Sequence, residues 1–236
     1  MCRKLSLLVA LVLMAAGANA QTTNSTFSIG PRVSSYSTDI DAGPAPIKTG
    51  RQSSFGLVGN YRAGNFVLDF SYDHDPSNGI RLTDIIVDVG DYQRDRGEGT
   101  VGLALAPVLD IEGGLRIESI RVGGFSLFGS NLGSDLNLDH QAITAGLNLH
   151  SDPRQPVGFH VKGRGYIGSA KFDDAFGQRV NTDTSGWRGE AGLDVRIGET
   201  NWWVTPGVEY EHIETKDYDL RFNTNRFFLN FVFKAR

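Results

Sequence analysis

Apolar and polar residues alternate one by one along most of the chain, and this alternation recurs in ten separate segments. In one of them Phe159, Val161 and Ile167 fall on one face, while His160 and Lys162 fall on the other. A period of two residues predicts β-strands, because successive side chains of a strand point to opposite sides of a sheet. The ten predicted strands are 27–34, 55–62, 66–73, 101–106, 115–118, 143–150, 159–167, 187–197, 202–211 and 227–234.

The connections between these strands alternate between short and long. Short connections are predicted at 62–65, 107–110, 151–156 and 198–200, and long ones at 38–52, 74–98, 123–136, 171–185 and 214–225. Short turns at one end and long loops at the other are typical of transmembrane barrels. Segment 80–92 also alternates, and we expect it to form a hairpin above the membrane rather than a further spanning strand. The sequence therefore predicts an all-β, closed antiparallel transmembrane up-and-down barrel of about ten strands, within a range of roughly eight to twelve.

Alternation alone does not separate a membrane barrel from a soluble β-structure, because both have one apolar and one polar face. Aromatic residues favour the membrane, since Phe159, Trp202 and Trp203 lie near one end of their strands, and Trp187 and Tyr210 near the other. Two such girdles are expected where a barrel crosses the two membrane interfaces. A soluble periplasmic barrel, with its apolar face buried inside, is the structural alternative.

Residues 1–20 have the order of a secretory signal peptide, with basic residues, an apolar run and a small-residue cleavage site at 18–20. The apolar run covers 5–16 and is too short to span a bilayer as a helix, which needs about 20 residues. We therefore expect residues 1–20 to be cleaved and residues 21–236 to form the barrel in the outer membrane of a Gram-negative cell.

Composition excludes several classes of function. The formal charge of −4 gives no reason to expect nucleic-acid binding. The single cysteine, Cys2, lies in the predicted signal peptide, so the mature protein has no disulfide, thiol nucleophile or cysteine-ligated metal. No segment matches a calcium-binding loop, and we expect neither a metal nor a cofactor.

The segment 227–233, with the sequence FFLNFVF, resembles the last strand of outer-membrane barrels. That strand usually ends in an aromatic residue that the barrel-assembly machinery reads, whereas here Lys-Ala-Arg follows Phe233. The whole range 21–236 resembles the small barrels of the porin-like and OmpA-like outer-membrane superfamily, without matching one member. The resemblance implies contact with outer-membrane lipid and lipopolysaccharide, and assembly through the C-terminal strand.

Charged side chains collect on the polar face of the predicted strands, and the two signs nearly balance. Neighbouring strands lie about 4.8 Å apart, so these side chains can pair. Paired charges are tolerated inside a narrow barrel, whereas isolated charges are costly. We therefore expect a charge-paired, mostly plugged lumen. Its predicted basic members are Arg32, Arg62, Arg116, Lys162, Arg164, Arg188, Arg196 and Lys234, and its acidic members are Asp69, Asp73, Glu118, Glu190, Asp194, Glu209 and Glu211.

Three acid–histidine pairs lie where predicted strands meet long connections, Asp73-His74, Asp139-His140 and Glu211-His212. An acid–histidine pair at a barrel rim can activate water for hydrolysis. Outer-membrane proteases of the omptin type are ten-stranded barrels with acidic and histidine groups at that rim, and this chain resembles them in strand count and residue type only. The alternative interpretation is that these are solvated residues at loop edges, and the sequence assigns no catalytic site.

The leading functional hypothesis is a non-enzymatic outer-membrane barrel whose long connections carry a structural or surface-interaction role. A narrow channel for small solutes is one alternative. A hydrolase that uses Asp73, His74 or His212 at the rim is another.

Overall fold

The computed structural model describes residues 25–41, 47–48, 50–76, 80–82, 87–127, 130–131, 136–152, 155–173, 179–217 and 220–235. The predicted signal peptide lies outside these residues. Among the described residues, no helix is long and apolar enough to cross a membrane.

The described chain consists of strands joined by turns. In chain order the strands are β1 (Ser25–Asp41), β2 (Ile47–Lys48), β3 (Gln52–Ala63), β4 (Phe66–Asp75), β5 (Ile80–Leu82), β6 (Val87–Ala106), β7 (Leu109–Leu127), β8 (Ser130–Asn131), β9 (Leu136–His150), β10 (Val157–Asp173), β11 (Arg179–Arg196), β12 (Trp202–Thr215) and β13 (Arg221–Ala235).

Ten of these strands close into one antiparallel barrel. Each long strand pairs with the long strands before and after it in the chain, and β1 pairs with β13, with Ile29 opposite Phe233. The short strands β2, β5 and β8 pair only with the ends of β1, β6 and β7. The predicted all-β, closed up-and-down barrel of ten strands is therefore confirmed.

The predicted short connections 62–65, 107–110 and 198–200 are tight turns that share one end of the barrel, where β9 also ends and β10 begins. Gly64 and Gly198 adopt positive φ angles of 57° and 56° there, a conformation that glycine reaches without strain. The start of β1 and the end of β13 lie at the same end, since Phe27 pairs with both Tyr61 and Ala235. We call this the turn end of the barrel.

At the opposite end the strands run much further than the alternation predicts. β6 begins at Val87, inside the range 74–98 that was predicted to be a loop. The predicted loops 38–52, 123–136, 171–185 and 214–225 are likewise shortened by extensions of β1, β7, β10, β11, β12 and β13. The predicted loops were too long because several outward positions of these extensions are polar, for example Asp95, Ser169 and Asn225, so hydropathy does not alternate there although the backbone ladder continues.

The predicted hairpin in segment 80–92 is present. Ile80 pairs with Val89 and Leu82 with Val87, so β5 folds back on the first residues of β6. The rest of β6 then continues into the barrel wall beside β4 and β7. The segment therefore adds a short hairpin at the long end and no eleventh barrel strand.

Apolar side chains point outward and charged side chains point inward. Ile167 is 76% exposed and Leu193 55% exposed, whereas Arg164 and Glu209 are 7% and 3% exposed. A soluble barrel built around an apolar core requires the reverse arrangement. The prediction that the charged face is enclosed is therefore confirmed.

The outer face changes from apolar to polar at a similar height on successive strands. On six strands, the last outward apolar residue is followed at the next outward position by a polar one. The pairs are Val33 and Ser35 on β1, Phe55 and Ser53 on β3, Ile143 and Gln141 on β9, Ile167 and Ser169 on β10, Trp187 and Ser185 on β11, and Phe227 and Asn225 on β13. We call the apolar zone the apolar belt. On β11 it covers Trp187–Val195, and a tilted membrane strand needs about 9–11 residues.

The strand segments beyond this boundary continue the barrel away from the apolar belt, and we call them the projecting wall. Its segments are 35–41, 52–53, 74–75, 87–98, 119–127, 136–141, 169–173, 179–185, 212–215 and 221–225.

Candidate functional site: a charged lumen

Arg96 is the centre of a group of ion pairs that crosses the lumen. Its guanidinium donates to Asp73 Oδ2 and Glu209 Oε1, with N–O distances of 2.7 Å in both cases. Arg226 contacts the same two carboxylates, at 2.8 Å from Asp73 and 3.6 Å from Glu209. The strands that carry Arg96 and Glu209, β6 and β12, are not neighbours in the barrel. These contacts therefore span the lumen rather than follow its wall.

A second group of ion pairs lies beside the first. Arg116 donates to Glu118 at 2.6 Å and also to Glu211. Arg94 contacts the same carboxylates, at 2.5 Å from Glu118 and 3.2 Å from Glu211. Aromatic rings fill the space around these cations, with Tyr36 under Arg94 and Arg226, and Tyr166 under Arg116.

Together these groups form what we call the outer network. Its members are Asp73, Arg94, Arg96, Arg116, Glu118, Glu209, Glu211 and Arg226. Four guanidinium groups face four carboxylates, and every member is buried. A buried ion pair is tolerated only when the charge is compensated and hydrogen bonded, and both conditions are met here. The outer network therefore spans the lumen at its level.

A further set of ion pairs lies closer to the turn end. Arg164 donates to Glu98 at 2.6 Å and to Glu112 at 2.5 Å, and Arg188 contacts Glu98 at 2.9 Å. Lys162 donates to Asp69 at 2.7 Å. Glu98 therefore joins the guanidinium groups of two neighbouring strands, β10 and β11.

Arg32, Arg62 and Asp194 are also paired. The Arg32 side chain donates to Asn230 at 2.9 Å and lies 3.7 Å from Glu190. Arg62 donates to Asp110 at 2.6 Å, in contact with His150. His160 lies between Glu190 and Asp194, at 3.2 Å and 3.6 Å.

A cavity of about 790 Å³ occupies the lumen from Glu98, Arg164 and Arg188 to the turn end. Its lining reaches from Glu98 and Arg188 at the inner end to Ser151, Asp152 and Asn201 at the turns. The side chains around it are mostly polar and charged. The lumen toward the turn end is thus a polar chamber, and the outer network crosses the lumen beyond it.

Two predicted lumen residues have different surroundings from those expected. Arg196 donates to the backbone carbonyls of Glu199 and Thr200, at 2.9 Å and 2.7 Å, because its place at the end of β11 brings it to the turn. Lys234 lies 3.9 Å from the centre of the Trp203 ring. Trp203 is buried in the lumen, which corrects its sequence-based assignment to an outer aromatic girdle.

The candidate catalytic pair Asp73-His74 is not a pair in the structure. Asp73 points into the lumen, whereas His74 lies on the outer face, where its Nδ1 is 2.8 Å from Asp95. Adjacent residues of a strand point to opposite faces, so Asp73 and His74 cannot share a proton. His212 also lies on the outer face, where its Nδ1 is 2.7 Å from the side-chain oxygen of Asn223. The structure brings Asp73, His74 and His212 to three separate places.

Sequence reasoning missed several members of the charge networks. Arg94, Arg96 and Glu98 lie in the range predicted to be a loop, and Glu112 and Arg226 lie just outside the predicted strands. A signal was present, because Arg94, Arg96 and Glu98 alternate and are in phase with the inward side of 101–106. In that segment, the alternation of charged residues with small or polar ones indicates a strand.

Asp75 is a buried carboxylate outside the outer network. It lies beyond the apolar belt at the end of β4, 1% exposed, and neither of its oxygens has a hydrogen-bond partner. Burial raises the pKa of Asp75 to about 7, although the charges of Arg94 and Arg226 act in the opposite direction. The outer network already has equal numbers of guanidinium and carboxylate groups, so an ionised Asp75 would add a surplus negative charge.

Within the described ranges, no three histidine, cysteine, aspartate or glutamate side chains come together as a metal-binding group.

The fold is similar to that of solved outer-membrane barrels. The translocator domain of the autotransporter NalP from Neisseria meningitidis is 15% identical, with 98% of this chain and 95% of that chain covered and a TM-score of 0.51. The outer membrane protease OmpT from Escherichia coli is 9% identical, with 89% and 95% covered and a TM-score of 0.52. No protein-family model matches the sequence, and no curated protein matches it. At these identities the likeness concerns the fold, which is that of small outer-membrane β-barrels.

Proposed function

We propose that the protein is an outer-membrane barrel that does not conduct solutes and that displays its projecting wall at the cell surface. The observation that carries this proposal is the outer network, whose ion pair between Arg96 and Glu209 crosses the lumen. Solute passage requires an open path along the barrel axis, and a compensated, buried cluster of eight charged side chains occupies that path. In this proposal, the protein acts through the surface of its projecting wall.

The apolar belt supports a place in the membrane. Outward residues such as Ile143 and Ile167 expose most of their side chains, and burying such a surface in hydrocarbon is favourable. Tight turns of outer-membrane barrels face the periplasm, so the projecting wall faces outward. The same proposal includes cleavage of the signal peptide after residue 20, assembly through β13 and contact with lipopolysaccharide. Trp187 and Tyr210 stack at the boundary, 5.1 Å apart, where aromatic residues favour the headgroup region.

Planar-bilayer recording tests the closed lumen. Refolded protein, shown to be folded by its shifted migration on an unheated gel, is expected to insert without stepwise currents. An Arg96→Ala, Glu209→Ala variant removes the crossing pair with no net change of charge, and its currents show whether the assay reports on this lumen. Stable current steps from the unaltered protein would overturn the proposal.

The chamber at the turn end favours a narrow channel as the second candidate. It extends from the turns as far as Glu98 and Arg188. A channel needs the outer network to rearrange, and the same recording detects this as current that appears only at raised voltage or changed pH.

A further inference from the structure

The chamber in the turn half of the lumen has the size and shape of a ligand pocket. Its volume of about 790 Å³ falls within the range of small-molecule sites, which are about 300–1,000 Å³. It is open toward the turns, and the outer network closes the lumen beyond it. A solute that enters from the turn end therefore meets a blind pocket.

Positive charge predominates on the lining of this chamber. Seven lining residues are arginine or lysine and five are aspartate or glutamate. Two lining carboxylates are shared, since Glu98 contacts both Arg164 and Arg188, and Asp69 contacts both Lys162 and Arg164. Arg164 and Arg62 also pair with Glu112 and Asp110, two carboxylates that are not part of the lining. A concave wall with an excess of one sign concentrates solutes of the opposite sign.

Two guanidinium groups at the inner end have hydrogen-bond donors without partners. Arg164 Nε and Arg188 Nη1 have no hydrogen-bond acceptor, although both side chains are more than nine-tenths buried and both residues line the chamber. The two residues lie directly opposite each other on β10 and β11. Guanidinium groups recognise carboxylate and phosphate oxygens well, because their planar donors match those acceptors.

We propose that this chamber binds a small oxyanion, a carboxylate or a phosphate, which enters from the turn end and is held by Arg164 and Arg188. Lys162 and Lys234 lie along the chamber on the way to the inner end. The oxygen atoms of the ligand would accept hydrogen bonds from the guanidinium N–H groups that no carboxylate of the protein accepts. Because the outer network lies beyond the site, the oxyanion is bound and not transported.

Trp203 provides a direct reporter of binding. It lines the chamber, whereas the other two tryptophans of the chain, Trp187 and Trp202, lie on the outer face and are about half exposed. A Trp187→Phe, Trp202→Phe variant therefore fluoresces from the chamber alone. Titration with sodium phosphate and with sodium succinate, at constant ionic strength, is expected to give a saturable change in emission. Choline chloride and glycerol are expected to give none.

Substitutions then locate the site. Arg188→Gln in the same background is expected to weaken oxyanion binding at least tenfold. Lys162→Gln, a partly exposed residue of the same lining, is expected to weaken it several-fold and serves if Arg188→Gln does not fold. Arg51→Gln, at an exposed residue before β3, is the matched control and is expected to bind as the reporter does.

Three results would overturn the assignment. One is the absence of a saturable response to either anion. Another is an equal response to choline chloride or glycerol. The third is unchanged affinity in folded Arg188→Gln and Lys162→Gln variants. The gel shift of the folded barrel establishes folding for each variant.

Discussion

Arg96 and Glu209 form a hydrogen bond across the lumen, with 2.7 Å between Nη1 and Oε1, although they are 113 positions apart in the chain. Both side chains are buried, and Asp73 occupies the other side of the same guanidinium. The pair ties β6 to β12, two strands that share no backbone hydrogen bonds. It therefore links opposite parts of the barrel wall across the lumen.

Replacing Arg96 with methionine should destabilise the barrel by about 3–5 kcal/mol, the usual cost of removing one partner of a buried ion pair. Asp73 and Glu209 would lose their shared cation, and burial of an uncompensated charge is unfavourable. The free energy of unfolding is measured by urea titration of protein refolded in detergent micelles. Adding Glu209→Gln to Arg96→Met should recover part of the loss. Arg51→Met is the exposed control, with an expected change within about 0.5 kcal/mol. A loss as small as that in Arg96→Met would contradict a structural role for the crossing pair.

The faces of the strands could be predicted from the sequence, but the partners across the lumen could not. Local alternation predicts that Arg164 and Leu193 point to opposite sides of the barrel wall, because the period of a strand is two residues. Which carboxylate contacts Arg96 depends on the number of strands and on their register around the whole barrel. The local alternation of residues gives neither. Residues 94–98 were missed for a different reason, since the outward positions between the charges, Asp95 and Gly97, are not apolar.

Asp73 and His74 should respond to substitution in opposite ways although they are adjacent. Asp73→Asn removes a charge that Arg96 and Arg226 share, so we expect a loss of about 3 kcal/mol or more. His74→Ala removes a partly exposed outer-face contact with Asp95, and the expected loss is below about 1 kcal/mol. The same urea titration measures both. Equal losses would mean that the two side chains do not lie on opposite faces of β4.

Two neighbouring glycines provide a matched test of the barrel wall. A methyl group at Gly146 would lie 2.2 Å from the carbonyl oxygen of Gly163 and 2.6 Å from Arg164 Cγ, whereas a methyl group at Gly163 would meet no atom within 4 Å. Gly146→Ala should therefore cost about 1–3 kcal/mol through crowding on the inner face. Gly163→Ala should be neutral or slightly stabilising, because alanine restricts the unfolded chain. Unfolding titrations of the two variants check the difference, and a larger loss for Gly163→Ala would contradict the assigned faces.

Asp75 should make the barrel less stable as the pH rises from about 4 to about 7. Its pKa is about 7 in the folded protein and 3.8 for the unperturbed group. Over that interval the unfolded chain releases the proton while the folded barrel keeps it, so the free energy of unfolding falls with pH and levels off above about 7. Each unit by which the pKa is raised corresponds to about 1.4 kcal/mol.

Asp75→Asn removes this contribution. Relative to the unaltered protein, the variant should gain stability steadily between pH 4 and 7, which urea titrations at several pH values measure. Asp183→Asn, on the exposed outer face of the projecting wall, should retain the pH dependence of the unaltered protein. A gain for Asp75→Asn that is the same at every pH would show that Asp75 keeps its charge throughout.

The direction of the barrel in the membrane can be tested by labelling cysteines at its two ends. Asn181 is exposed on the projecting wall, and Glu199 is exposed in the tight turn after β11. The apolar belt segment of β11, Trp187–Val195, lies between them, and its nine residues suffice for a tilted strand to cross a membrane. In a Cys2→Ser background, Asn181→Cys should react with a membrane-impermeant maleimide on intact cells, and Glu199→Cys should react only after the outer membrane is opened. Both cysteines should react equally in detergent, which controls for their intrinsic accessibility. Labelling of Glu199→Cys on intact cells, with Asn181→Cys protected, would place the tight turns outside and refute the proposed display of the projecting wall.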